Sequence, residues 1–167
     1  MAKKIAEIRS HWNHFFDGFS TSAQEYFQTV EEAVKAKQLP DISFSRIDFR
    51  EGGIFSAKRE YLRVEHHDHI FDICAAPFGT GFFFSWWLAD PAPSGPWGMI
   101  VSIPYLGAIV QRLFRPWTYY KKDTSSMVQS SINNAIQDVI KSITTAKGIR
   151  ELSEAERKPI MRDLFGR

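Results

Sequence analysis

The chain has 167 residues, enough for one domain with a sizeable core. With 44% hydrophobic and 24% charged residues it is globular rather than disordered, and its single cysteine, Cys74, excludes an internal disulfide. The net charge of +2 comes without dense Lys/Arg runs, so no nucleic-acid partner is expected.

The charge is uneven. Residues 73–111 carry only Asp90, whereas residues 112–167 carry 11 basic and 6 acidic side chains. That makes the last third electropositive and favours an anionic partner for it. The opening "MAKKIAEIRSHWNHFF" does not read as a signal peptide, because Glu7 and Arg9 interrupt any apolar stretch. The expected location is cytoplasmic, with membrane association left open.

In chain order, Ile5, Ile8, Trp12, Phe15, Phe16 and Phe19 recur at three- and four-residue steps, which predicts a first helix. Ser22 and Glu25 form a capping-box pattern before a second helix carrying Tyr26, Phe27, Val30 and Val34. A meander follows. "ISFSRIDFR" alternates but slips phase between Phe44 and Ile47, which predicts a bulge near Ser45–Arg46. "IFSAKREYLRVE", "IFDICAA" and "FFFSWWL" read as the next strands, with turns at "EGG", "HHDH" and "PFGTG". "FFFSWWL" is apolar on both sides, the mark of a central strand covered on both faces. "TYYKK" is read as a fifth strand, and Asp123 or Thr124 as the cap of a long helix ending before Gly148. Ser153 to Glu156 repeats the capping-box pattern.

The expected fold is α+β. An antiparallel four- to five-stranded meander is flanked by two N-terminal helices and a long C-terminal helix, all in a single domain over 1–167 with an apolar crossover at 91–116.

The crossover poses the functional question. From Pro91 to Gln111 there are 21 uncharged residues, but the first six are a Pro/Ser/Gly linker and Pro104 interrupts the rest. It is too short and broken for a simple membrane span. Trp97 and Trp117 flank it, and Arg112 and Arg115 follow its apolar part. Tryptophan at both ends with cations at one end suits an interfacial segment. The candidate ligand or interface residues are therefore Trp86, Trp87, Trp97, Ile100, Ile103, Leu106, Val110, Arg112, Arg115 and Trp117. The bland alternative is that Trp97 to Phe114 covers the second face of the sheet.

The histidines form two clusters. His66, His67 and His69 sit at one hairpin tip beside Glu65, Asp68 and Asp72, and imidazole with carboxylate suits a divalent metal. Against this, neighbours in a tight turn rarely converge on one centre. His11 and His14 would share a face on a helix. Asp72 shares a strand face with Cys74 and needs a partner if buried, which Arg59 or Arg63 could supply. No nucleophile motif, phosphate loop or dinucleotide fingerprint is present, and no cofactor is expected.

Three functions are compatible with these residues. The leading one is a non-enzymatic binding protein whose apolar, Trp-flanked segment 97–114 docks on a membrane surface or protein partner, the contact running through 97–117. The others are a carrier of a small apolar ligand in an aromatic pocket, and a metal-dependent enzyme using the histidine clusters.

Overall fold

A computed structural model of the chain describes residues 5–50, 58–67, 69–91 and 119–161. The order of elements is β1 (Ile5–Phe16), α1 (Ala23–Ala36), β2 (Ile42–Arg50), β3 (Lys58–His66), β4 (His69–Phe78), β5 (Gly81–Pro91), α2 (Tyr119–Thr145), α3 (Glu154–Arg157) and β6 (Ile160–Met161). The six strands form one antiparallel sheet in the order β2-β3-β4-β5-β1-β6. The architecture is α+β, as expected, with a long C-terminal helix.

Three local expectations are corrected. The first predicted helix is strand β1, paired with β5 from Ile5↔Pro91 to Phe16↔Phe82. Two register shifts, between Ile5 and Glu7 and between Ile8 and Ser10, break its alternation. In β2 there is no bulge: its register against β3 is continuous from Ile42↔His66 to Arg50↔Lys58. The strand changes its apolar face because Arg46 occupies the helix-facing position, where its guanidinium lies 4.8 Å from the Phe27 ring centroid on α1. "TYYKK" belongs to α2, which starts at Tyr119 rather than at Asp123 or Thr124.

The capping arguments hold for the starts of α1 and α3 and for the end of α2, though not for its start. Ser22 accepts from the Glu25 amide at 3.3 Å, and Ser153 and Glu156 form a complete reciprocal box. Gly148 has φ +72°, the left-handed conformation a helix end favours, and donates to Thr145 O.

The three helices lie on one face of the sheet. Tyr26, Phe27, Val30 and Val34 of α1 join Val128, Ile132, Ala135, Ile136, Val139 and Ile140 of α2 in one cluster. The sheet contributes Trp12, Phe16, Leu62, Val64, Phe71, Ile73, Phe82, Phe84, Trp86 and Leu88 to it. Because cross-strand partners share a face, this is one continuous apolar surface across β3, β4, β5 and β1. α3 is tied down by the Trp12 indole, which donates to Glu156 O at 2.6 Å.

Candidate functional site

The opposite face of the sheet is also buried at its centre, although no described helix lies on it. One row of cross-strand partners runs Ser45, Arg63, Asp72, Trp87, His11, Ile160. The next runs Ile47, Tyr61, Cys74, Ser85, Asn13. Arg63 and Asp72 are only 1% and 2% exposed, and Cys74, Ser85, Ile70 and Ala89 are buried beside them. This agrees with the two-sided burial read from "FFFSWWL", and β5 is indeed an interior strand.

The Asp72 carboxylate is held by Arg63 through two parallel bonds, Nε to Oδ1 and Nη2 to Oδ2, each 2.7 Å. This bidentate geometry is the strong form of the pair. Burial pushes the Asp72 carboxyl up, and the Arg63 hydrogen bonds and charge oppose that push. Both arginines proposed as partners lie on this face, and Arg63 is the one directly opposite Asp72 in the register. Cys74, between Tyr61 and Ser85, has its thiol pushed up chiefly by burial, so it is no activated nucleophile. Trp87 stacks on His11 with ring centroids 4.6 Å apart.

The histidine tip lies at one end of the sheet. His66 and His69 are direct cross-strand partners and both are buried, with nearly parallel rings 6.4 Å apart. His67 occupies the turn at φ +48° and faces Asp41, Nε2 to Oδ2, at 3.3 Å. His69 Nδ1 lies 3.8 Å from Asp90 Oδ1, while Arg9 donates to Asp90 Oδ2 from Nε at 3.0 Å and also from Nη2. Burial, then the neighbouring imidazoles, push His66 down. Burial alone would raise Asp90, but the nearby His69 imidazole and the Arg9 hydrogen bonds outweigh it and hold the carboxyl low. Among the described residues, no group of three or more His, Cys, Asp or Glu side chains is placed to share a metal ion. Asp68 lies outside the described residues.

The second histidine pair is separated. On a strand, His11 and His14 point to opposite faces, so the shared-face expectation fails. His14 lies among the rings of Trp12 and Phe16, and burial pushes it down.

Trp97, Ile100, Ile103, Leu106, Val110, Arg112, Arg115 and Trp117 lie outside the described residues. Of the candidate interface residues within them, Trp86 is buried on the helix-facing side and its indole donates to Asn133 Oδ1 at 3.1 Å. Trp87 is half-buried on the other face. The helix that follows the apolar segment starts bare: Tyr119 and Tyr120 are 87% and 80% exposed, and Met127 is exposed too. Among the described side chains of α2, the first buried one is Val128. Among the described residues, no helix is long and apolar enough to cross a membrane.

Two sets of residues escaped the sequence reading. Arg9 and Asp90 join the histidine tip through strand pairing between distant segments, for which the sequence held no signal. Tyr26 and Gln137 are buried with unpartnered polar atoms. The four-residue spacing of Gln129, Asn133 and Gln137 along a helix with an apolar stripe was an available signal for the latter. Comparisons with protein-family models, curated proteins and solved structures find no match for this chain.

Proposed function

We propose that the protein is a non-enzymatic binding protein that docks on a membrane surface or a protein partner through its apolar, tryptophan-flanked segment 97–114. The observation that carries this reading is the exposed start of α2. Tyr119, Tyr120 and Met127 extend the segment's aromatic and apolar character onto a helix whose first nine residues include no described buried side chain. Tyrosine is at home where one end of a side chain is apolar and the other wet. Arg112, Arg115, Lys121 and Lys122 supply cations in the same stretch, within the electropositive third of the chain.

Co-sedimentation with phosphatidylserine-containing vesicles tests the membrane arm, and pull-down with the purified protein tests the partner arm. Wild type is expected to pellet with anionic vesicles at low salt, and to lose binding when Arg112 and Arg115 become Ser or when Trp97 and Trp117 become Ala. Wild-type protein that stays in the supernatant and retains no partner overturns the reading.

A further inference from the structure

Strand β2 forms one end of the sheet, and among the described residues no strand pairs with its outer side. Such an edge presents unpaired N–H and C=O groups to any extended chain. Three common safeguards are missing from it. Ile42–Arg50 runs nine residues, contains no proline, and keeps an unbroken register against β3. Ser43, Ser45, Arg46, Asp48 and Phe49 are all exposed, so the edge is open along its length. Charge is present as Arg46 and Asp48, and its placement decides what the edge can accept.

Arg46 and Asp48 lie two residues apart and so share the helix-facing side. When two identical strands pair antiparallel about a two-fold axis through one residue, each residue faces the one equally far beyond that axis. An axis at Arg46 sets arginine against arginine, and an axis at Asp48 sets aspartate against aspartate. An axis at Ile47 sets Arg46 against Asp48, and does so twice. Within the single chain Asp48 stands directly opposite Glu60, an unfavourable like-charge pair that Lys58 offsets from 2.8 Å. A second copy's Arg46 adds a cation there. Both side chains keep surface for it, at 36% and 43% exposure for Arg46 and Asp48.

The other face of the strand gains as well. Phe49 is 42% exposed, with its ring edge-on to Tyr61 at 5.2 Å. With the axis at Ile47, the two Ile47 side chains meet, and each Phe49 lies diagonal to the other copy's Ile47. The apolar row of this face then runs on from one copy into the next.

We propose that the protein pairs with a second copy of itself through β2, antiparallel and with the two-fold axis at Ile47. The two sheets join into one, and because both copies use the same edge the assembly closes at two chains. An unrelated extended peptide gains the backbone bonds but not the two opposite-charge pairs. The contact is independent of docking through 97–114.

Sedimentation equilibrium of the full-length chain is expected to give a mass approaching twice its 19.2 kDa as concentration rises. Arg46→Asp and Asp48→Arg each set like charges against one another across the axis, and each is expected to weaken pairing by about tenfold or more. An equimolar mixture of the two variants is expected to pair again, because two aspartates on one chain then face two arginines on the other. Ile47→Cys reads the register directly. It is expected to form an intermolecular disulfide with its own copy under mild oxidation, whereas Phe49→Cys, set against Ser45, is not. Wild-type protein that stays monomeric at every concentration overturns the proposal. So does a dimer that both charge reversals leave intact, a mixture that stays monomeric, or cross-linking at 49 in place of 47. Where a charge variant does not fold, the wild-type mass and the two cysteine variants decide.

Discussion

Asp72 and its arginine illustrate how far single residues can be read. Strand alternation placed Asp72 on the face of Cys74, and burial required a cation one strand away. Arg63 meets that need with two bonds of 2.7 Å. The choice between Arg59 and Arg63 needed the register, in which Arg63 is the direct partner of Asp72. Removing one member of a buried pair leaves the other charge without compensation. Asp72→Asn is therefore expected to destabilise the fold by about 3 kcal/mol. Urea unfolding checks this as a lower midpoint with an unchanged slope. Replacing both members by apolar side chains of similar volume is expected to recover much of that loss.

Among the elements, β1 was the least legible. Its apolar residues fall on both faces of the sheet: Trp12 and Phe16 look toward the helices, Ile8 and Phe15 away from them. A two-faced strand with register shifts generates three- and four-residue spacings, and those are also the signature of a helix. β2 posed the related problem, since an arginine whose stem and guanidinium cover Phe27 imitates a slip of phase. Where one face alone was apolar, as in α1, or where a serine began a capping box, as at Ser22 and Ser153, the sequence sufficed, whereas the cap read at Asp123 or Thr124 fell inside α2. The junction of β1 and β5 also carries a sharp steric constraint. A Cβ on Gly81 would meet the Phe16 carbonyl oxygen at 2.3 Å and the Phe15 ring at 2.4 Å. The ring can swing aside, but the backbone oxygen cannot without moving β1. Gly81→Ala is expected to cost about 1–3 kcal/mol, read as a lower thermal midpoint, with the amides of β1 losing hydrogen-exchange protection first.

For the molecule as a whole, two histidines at different places on the sheet set the response to acid. His14 and His66 both titrate below the ordinary imidazole value of 6.5, mainly because burial disfavours their charged forms. Between the folded and ordinary values the unfolded chain binds more protons, so stability falls as pH falls below about 6.5. The slope is at most about 1.4 kcal/mol per pH unit for each proton taken up on unfolding. Asp90 is held low, so its stabilising contribution is lost only in stronger acid, as pH falls through its folded value. Asp72, pushed up mainly by burial, acts in the opposite sense near the carboxylate range. Denaturation midpoints between pH 7 and pH 5 are expected to decline, and the decline should flatten in the His14→Gln, His66→Gln variant.

β1 lies beside β5, so the earliest strand to be synthesised finds its neighbour only after some sixty-six further residues, counting from Phe16 to its partner Phe82. At roughly 5–20 residues per second on the ribosome, that interval lasts on the order of several seconds. Throughout it Trp12 and Phe16 lack the strand beside which they pack. Transposing this strand to follow Pro91, whose partner is Ile5, would turn a long-range closure into a hairpin and is expected to speed folding.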